Sequence, residues 1–330
     1  FYTSKYQCVD RGTTNVRYSG TGTGPETVTL LPEDDIVCTF TNTRIPAPTV
    51  TIEKTVTTSY IRTYDWKITK KAFNKVPEEI PTLTNLNLQE GQNYLLDYKV
   101  GVTQSYTDSK IKASGEIKVT LTGNPVYKTT AFGVTDVIKG TGFDSGALTV
   151  KCPDVPTGGW AASTTGTEVK CTWTYDFTGF TDVMKIPTDL KNNAKVDLTW
   201  NSTETDSKSV AKDVKFGAPD DEIDESVKVS DNKGGTTFIA LGDATKADKT
   251  FPYANDVPAC VPPGGERMNT AKLVTNDTQT EKTATHKILW NCEPQYDGCT
   301  LTQGYWKTHS EFGPAPVSYT HLTLPTKESR

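Results

Sequence analysis

The sequence predicts an all-β protein made of antiparallel β-sandwich domains in tandem, and three observations support this. Threonine makes up about one residue in six, and its branched Cβ favours strands over helices. Apolar and polar residues alternate over many short segments, and no stretch keeps a 3.6-residue period. Glycine, proline and asparagine turns separate these segments, which is typical of a sandwich rather than of parallel βαβ units.

Length and charge narrow the class of protein. The chain has 330 residues, which suggests two or three domains. Its 35 basic and 40 acidic residues are interspersed and give a net charge of -5, so we expect no nucleic-acid partner. No apolar run is long enough to cross a bilayer, so we expect no membrane insertion. The chain begins at Phe1 without a signal peptide, and we expect both ends to have been cut.

The seven cysteines are widely spaced and lack the Cys-x-x-Cys pattern of zinc or redox sites. One pair per segment predicts disulfides formed in an oxidising, extracellular compartment, although sequence alone does not fix their connectivity. The alternative is seven reduced cysteines in a cytosolic protein. Cys299 is left unpaired. The expected pairs are Cys8 with Cys38, Cys152 with Cys171, and Cys260 with Cys292.

Residues 1–45 are expected to be the end of a truncated β domain. Cys38 and Phe40 share one face of a strand in DDIVCTFTNTR, and Tyr6 and Cys8 do so in YQCVD. A disulfide between these strands would join two inward faces. The proline-containing segment RIPAPTV then predicts an extended linker.

A complete sandwich domain is expected over residues 50–216. Cys152 and Cys171 fall at the apolar positions of their strands, which makes them the clearest disulfide pair in the chain. The sets expected to share inward faces are Tyr64, Trp66 and Ile68; Tyr94, Leu96, Tyr98, Val100 and Val102; Ile117, Val119 and Leu121; Cys171, Trp173, Tyr175 and Phe177; and Val196, Leu198 and Trp200.

A smaller domain, residues 226–292, follows an acidic linker and repeats features of the previous one. The segment NNAKV that starts at Asn192 recurs as NTAKL from Asn269. A tyrosine precedes each copy at a similar distance, Tyr175 in the first and Tyr253 in the second. Self-similarity of this kind suggests a tandem array in which each unit packs its own core.

Several motifs resemble bacterial surface proteins. EGQNYLLDYKVGV, GEIKVTLTG, VTDVI, CTWTYDF and NNAKVDLTW resemble, in that order, the immunoglobulin-like repeat domains of bacterial cell-surface and secreted proteins. DDIVCTFTNTR resembles the last strands of prealbumin-like domains in Gram-positive pilins and adhesins. GCTLTQGYWKTHS resembles a short marker that follows such domains, so residues 299–316 are expected to begin a further, truncated module. The resemblance implies an extracellular location and a structural or adhesive role, and it implies no ligand.

The C-terminal residues have a different origin. VSYTHLTLPT, at residues 317–326, resembles one reading frame of a transposase-type sequencing adapter. We therefore expect residues 317–330 to be a non-native tail and exclude them from reasoning about the fold.

No motif in the sequence predicts catalysis, so we expect neither enzymatic activity nor a cofactor. His286 lies in TATHKILW at the spacing of the core residues, and we interpret it as a partly buried strand residue rather than a base. Asp220, Asp221 and Asp224 in the acidic linker are candidate ligands for Ca²⁺. The alternative is that these carboxylates belong to a solvated linker.

The resemblance to pilins also suggests a covalent cross-link. Pilin-type domains can form a Lys–Asn amide beside a buried carboxyl group, whose protonated form polarises the amide carbonyl. By this resemblance Asn42 matches the acceptor of the first domain, whose lysine would lie upstream. Lys54 and Asn193 would be the analogous pair in the second domain. The alternatives are a surface lysine and an asparagine at a turn or strand entry.

The sequence therefore predicts a non-enzymatic extracellular protein that acts as a spacer or display scaffold, with monomeric domains in a tandem array. The alternative is a carbohydrate- or protein-binding module, detached from a larger secreted enzyme. Trp160, on the glycine-rich loop TGGWAAS, would then be its contact residue, unless it folds onto its own sandwich. Partners would be surface glycans or proteins of a host or neighbouring cell.

Overall fold

The computed structural model describes residues 1–22, 24, 27–75, 78–81, 83–257 and 259–295. The predicted all-β class is confirmed: antiparallel sheets dominate, and the described helical structure is one 3-10 turn, Val183–Lys185. No helix within these ranges has the length and apolar character needed to span a membrane. The strands are β1 Tyr2–Asp10, β2 Val16–Thr21, β3 Ile36–Arg44, β4 Thr49–Lys54, β5 Thr57–Lys75, β6 Glu78–Ile80, β7 Leu83–Gln89, β8 Tyr94–Thr122, β9 Thr129–Gly140, β10 Phe143–Ala147, β11 Val150–Lys151, β12 Thr167–Asp176, β13 Lys191–Trp200, β14 Glu204–Asp213, β15 Asp221–Ile223, β16 Ser226–Asp231, β17 Ile239–Thr245, β18 Lys249–Val257, β19 Gly264–Thr275 and β20 Glu281–Glu293.

The chain divides into two compact units, and the long strands β5 and β8 contribute residues to both. Unit 1 comprises Phe1–Trp66, Gln104–Ser226 and Thr275–Gln279. Unit 2 comprises Lys67–Thr103, Val227–Val274 and the described residues from Thr280 onward.

This division differs from a simple reading of the sequence. Lys67–Thr103 belongs to unit 2, although it falls inside the segment 50–216 that the sequence assigns to one domain. The reason is that β5 and β8 are far longer than an ordinary strand, so one strand supplies residues to two cores. The predicted boundaries at 1–45, 50–216 and 226–292 stay a prediction about units that fold independently.

The core of unit 1 lies between two layers of strands. One sheet has the order β10-β9-β13-β14, and the other brings β4 and β12 onto the C-terminal part of β8. In the second layer Val50 lies opposite Leu121, and Lys54 lies opposite Ile117. Ile117 and Leu121 are fully buried. A side chain of this size contributes about 2–3 kcal/mol when it is removed from water.

Unit 2 has its own core. The sheet β17-β16-β19-β20-β7 forms one layer, and β18 pairs with the N-terminal part of β8 in the other. The buried residues that fill the space include Leu96, Tyr98, Val257 and Ile288.

The predicted alternation is confirmed for the sandwich strands, since their apolar sets are buried or half-buried in the two cores. The prediction for residues 1–45 is wrong in one respect. Cys38 and Phe40 were expected to face inward, but both are exposed, as are most residues of β3, and Phe40 is 52% exposed. The small sheet β2-β1-β3 buries Cys8 and leaves the face around Phe40 open to solvent.

Three disulfides join the cysteines in the pairs expected from the sequence. They are Cys8–Cys38, Cys152–Cys171 and Cys260–Cys292. Cys8 and Cys38 lie directly opposite each other on β1 and β3. Three disulfides are compatible with an oxidising extracellular compartment.

Candidate functional site

Two lysines are buried inside the cores, which is rare unless the lysine has a partner. Lys54 in unit 1 and Lys70 in unit 2 each have a side chain that is 0% exposed, and each forms an ion pair with an aspartate that is also 0% exposed. A fully buried asparagine completes each group. We call Lys54, Asp136 and Asn192 the Lys54 cluster, and we call Lys70, Asp231 and Asn269 the Lys70 cluster.

Strand alternation brings the Lys54 cluster together. Lys54 ends β4 and follows Val50 and Ile52 on the inward face. On β13 the buried positions are Asn192 and every second residue after it. Asp136 on β9 lies opposite Ala194, two positions from Asn192, so the carboxyl and amide groups are diagonal neighbours on the same face.

Asp136 contacts both other members of its cluster. Its Oδ2 accepts a hydrogen bond from Lys54 Nζ at 2.8 Å, and its Oδ1 accepts one from Asn192 Nδ2 at 2.7 Å. The Lys54 ammonium lies 4.7 Å from the ring centroid of Trp173. Asn192 Oδ1 is buried and has no hydrogen-bond partner within the described part of the chain. The amide thus keeps an acceptor free beside a carboxyl group and an amine.

Burial pushes both members of the ion pair toward their neutral forms. It lowers the pKa of Lys54, although the contact with Asp136 acts in the opposite direction. It raises the pKa of Asp136 against the opposing effect of Lys54. Transfer of one proton from amine to carboxyl therefore costs less here than in water. The product would be a nucleophilic amine beside a carboxylic acid.

The Lys70 cluster is placed by the same alternation in unit 2. Lys70 continues the series Trp66 and Ile68 along β5, Asp231 ends β16, and Asn269 precedes the buried Ala271 on β19.

The contacts within the Lys70 cluster run through a tyrosine. Lys70 Nζ donates to Asp231 Oδ2, and it also donates to the hydroxyl of Tyr253 at 2.6 Å. The same hydroxyl lies 3.0 Å from Nδ2 and 3.3 Å from Oδ1 of Asn269. Tyr98 stacks on Tyr253 with ring centroids 5.4 Å apart, and its ring lies 4.7 Å from Lys70 Nζ. Amine, carboxyl and amide groups are again enclosed together.

Burial lowers the pKa of Lys70 to about 8. Burial also raises the pKa of Tyr253, and the charge of Asp231 raises it further, so the tyrosine keeps its proton and can donate it in a hydrogen bond.

The structure corrects the predicted partner of Lys54 by one residue. Asn193 is half-exposed, and its Nδ2 donates to the carbonyl of Lys191 at 3.1 Å. Consecutive residues of a strand point to opposite faces, so Asn193 faces away from the core that holds Lys54. Asn192 occupies the position that Asn193 was expected to fill.

The sequence contains a signal for the buried polar residues of the two clusters that was not recognised. These residues are Lys54, Lys70, Asp136, Asp231 and Asn269. Each lies at the inward position of its strand, in step with apolar neighbours such as Val134 and Ile138 around Asp136. A charged residue that interrupts an apolar series at a spacing of two is a candidate buried group.

The predicted calcium ligands have other roles. Asp220 accepts from the backbone of Tyr60 at 2.8 Å, and Asp221 pairs with β5 in a short parallel bridge. Asp224 is buried and accepts from the hydroxyl and backbone of Thr278 at 2.6 and 2.9 Å. Burial raises the pKa of Asp224, but these hydrogen bonds outweigh burial and lower it. Across the described ranges no cluster of three or more metal-binding side chains is present.

The candidate ligand-binding residue Trp160 packs onto its own sandwich. It is half-buried and meets Phe132 edge-on, with ring centroids 5.0 Å apart. Asn42, the acceptor suggested for the first domain, is exposed and accepts a hydrogen bond from Ser4 Oγ at 2.6 Å. The predictions for Cys299, residues 299–316 and residues 317–330 lie outside the described residues.

His286 is buried to a greater degree than expected from the sequence. It is 1% exposed, lies opposite Asn269 in the pairing of β19 with β20, and meets Tyr98 edge-on at 5.6 Å. Burial lowers its pKa, and the nearby charge of Lys70 lowers it further.

Comparison of the chain with known protein families gives no match, and comparison with curated proteins gives none either. In each cluster a buried amine and a buried carboxamide share one hydrogen-bond partner, Asp136 in unit 1 and Tyr253 in unit 2.

Proposed function

We propose that this chain is a non-enzymatic structural or adhesive protein of the bacterial surface or secretome. Its immunoglobulin-like sandwiches would be arranged in tandem and would act as a spacer or display scaffold. A self-generated amide between Lys54 and Asn192 would lock the first complete sandwich. The observation that carries this proposal is the enclosed Lys54 cluster, in which Asp136 bonds to both the amine and the amide.

The reaction needs no external reactant. After proton transfer to Asp136, the neutral Nζ of Lys54 attacks Cγ of Asn192, and a new carbon–nitrogen bond forms. The Cγ–Nδ2 bond then breaks. One proton of the attacking nitrogen is relayed through Asp136 to Nδ2, which leaves as ammonia, so that atoms and charges balance without any oxidation or reduction.

The location of the cluster supports a structural role over an enzymatic one. Both charged side chains are 0% exposed, so an external substrate has no access to them. The chemistry available there acts on the chain itself. The amide would close a loop from residue 54 to residue 192, which on the chain-entropy treatment used for disulfides stabilises the fold by about 5 kcal/mol.

A cross-link also removes an electrostatic cost. A buried ion pair loses much of its Coulomb energy to desolvation of the two charges. Amide formation replaces the pair with a neutral bond and a neutral carboxylic acid. Together with the disulfides, such bonds suit a protein that must stay folded outside the cell under load.

Intact mass measurement of the reduced protein tests the proposal. The wild-type chain should be lighter than its sequence by the mass of ammonia for each bond formed. Relative to the mass expected from its own sequence, Asn192→Ala should show a deficit that is smaller than the wild-type deficit by one ammonia. Asn193→Ala should show the same deficit as the wild type. If the folded Asn192→Ala and wild-type proteins show the same deficit, the Lys54 cluster does not react and the proposal is wrong.

A further inference from the structure

The Lys70 cluster has the same three residue types as the Lys54 cluster, in the other unit, and it suggests a second modification. We infer that Lys70 and Asn269 form a second intramolecular amide, and that the two amides are interlocked along the chain. This inference rests on the chemistry proposed for Lys54 and Asn192, but it concerns different residues and can fail alone.

Burial and contacts support the second bond. Lys70 and Asp231 have side chains that are 0% exposed, and Asn269 is fully buried. The hydroxyl of Tyr253 bonds to Lys70 Nζ at 2.6 Å and to Asn269 Nδ2 at 3.0 Å. One hydroxyl therefore holds the amine and the amide side by side, while the carboxyl of Asp231 holds the amine from another direction.

The atoms balance as they do in the first reaction. Asp231 takes a proton from the Lys70 ammonium, and the neutral Nζ attacks Cγ of Asn269. The bond between Cγ and Nδ2 breaks, and ammonia leaves with a second proton, which the attacking nitrogen loses, while Asp231 keeps the first. Tyr253 is a positioning residue: its hydroxyl orients the amide and can donate to the oxyanion.

The four residues that would form the two bonds alternate along the chain. Lys54 comes first, then Lys70, then Asn192 and finally Asn269. The loop closed by the first bond contains Lys70, and the loop closed by the second contains Asn192. Neither loop lies inside the other, so the two loops overlap in sequence instead of following one another along the chain.

This overlap makes the bonds mechanically unequal. When the chain is pulled from its ends, tension passes from Lys54 along residues 55–69 to Lys70, and crosses to Asn269 through the second bond. Residues 71–268 then carry no tension, whether or not the first bond is present. The second bond therefore shields most of both units, and the first bond limits extension only when the second is missing.

Tryptic digestion of the wild-type protein tests the second bond without any substitution. Trypsin does not cleave after a lysine whose amine is acylated. The expected product is residues 68–71, ITKK, joined to residues 268–272, MNTAK, with the loss of one ammonia. Recovery of free MNTAK with unmodified Asn269 from the folded protein would overturn the inference. The deficit of one ammonia assigned to Asn192 would leave the proposed function intact in that case.

Single-molecule stretching of the full chain with its disulfides reduced tests the overlap. Asn192→Ala should extend to the same final length as the wild type. Asn269→Ala should extend further by about 200 Å, because roughly sixty more residues come under tension at about 3.5 Å each. Asn291→Ala is a matched control, since this exposed asparagine of unit 2 should leave the length unchanged. Equal extension of the Asn269→Ala and wild-type chains would contradict the inference.

Discussion

The Lys54 cluster and the Lys70 cluster share three residue types but differ in which residue holds the amide. In unit 1 Asp136 bonds to both Lys54 and Asn192, and the nearest aromatic ring is the indole of Trp173. In unit 2 Asp231 bonds to the lysine, and the hydroxyl of Tyr253 takes over the contact with Asn269.

The comparison shows that a buried carboxyl group can have two separable roles. It accepts the proton of the lysine, and it orients the amide. Tyr175 precedes Asn192 at nearly the distance that separates Tyr253 from Asn269, but Tyr175 packs on Phe177 with ring centroids 4.8 Å apart. Only the second copy of the repeat uses this tyrosine in its cluster. The predictions below test how far the division of roles extends.

Removal of Asp136 should have the largest effect. Asp136→Ala leaves the lysine buried without its partner and removes the proton acceptor, so we expect no amide at Asn192. Breaking a buried ion pair costs about 3–5 kcal/mol of unfolding free energy, and the stabilisation from the cross-link would be lost as well. Chemical denaturation and intact mass measure the two effects. Asp144→Ala is the control, because this half-exposed aspartate pairs with Lys139 at the surface. Wild-type stability in Asp136→Ala would contradict the role assigned to the carboxyl group.

Loss of Cys152–Cys171, one of the two disulfides of unit 1, should have the next largest effect. Replacing Cys152 and Cys171 by alanine opens a loop with a sequence separation of 19 and should lower the unfolding free energy by about 3 kcal/mol. The amide should still form, because neither cysteine is a member of the Lys54 cluster. If the variant with both alanines showed no ammonia deficit at Asn192, the disulfide would be needed to assemble the Lys54 cluster.

Tyr253→Phe separates positioning from proton transfer. The ion pair between Lys70 and Asp231 remains, but the hydroxyl that holds Asn269 is gone. Leaving the buried amide without this partner should cost about 1–3 kcal/mol. Formation of the second amide, followed by mass in freshly folded protein, should slow while the first forms at the wild-type rate. Tyr175→Phe serves as the control and should slow neither, and equal rates in Tyr253→Phe and wild type would contradict the positioning role.

The smallest effect should be a pH dependence centred on His286. Burial lowers its folded pKa, and this effect does not depend on whether Lys70 is charged or acylated, so the unfolded chain binds a proton at a higher pH than the folded chain does. Stability is therefore fully present above the unfolded pKa of about 6.5 and declines below it by at most about 1.4 kcal/mol per pH unit. Denaturant titrations between pH 7.5 and 5, values set around that pKa, should show a weaker decline in His286→Phe. The same decline in both proteins would mean that another group is responsible.

The fold was largely predictable because alternation and turn residues are local signals. The inward sets on β8, β12 and β13 follow directly from a spacing of two. The extent of β5 and β8 was not predictable, since a single long strand and two shorter strands have the same alternation. Only the packing of Lys67–Thr103 against the residues of unit 2 distinguishes them.

The candidate site was predicted in part. Lys54 was identified from a resemblance, but its partner was placed on Asn193, which has the wrong parity for a strand whose core residues are Ala194 and Val196. The inward residues of a strand recur at every second position. Applied to the strands of Lys70 and Asn269, this rule would have predicted the Lys70 cluster. Tyr253 could not have been predicted, because its counterpart Tyr175 has the same sequence context and a different environment.

Identification of the peptide that contains Lys54 tests the central claim most directly. After reduction and tryptic digestion of the folded wild-type chain, we predict that residues 45–62 are recovered uncut at Lys54 and joined to residues 192–195, NNAK, with the loss of one ammonia. Cleavage after Lys54, with free NNAK of unmodified mass, would contradict the account.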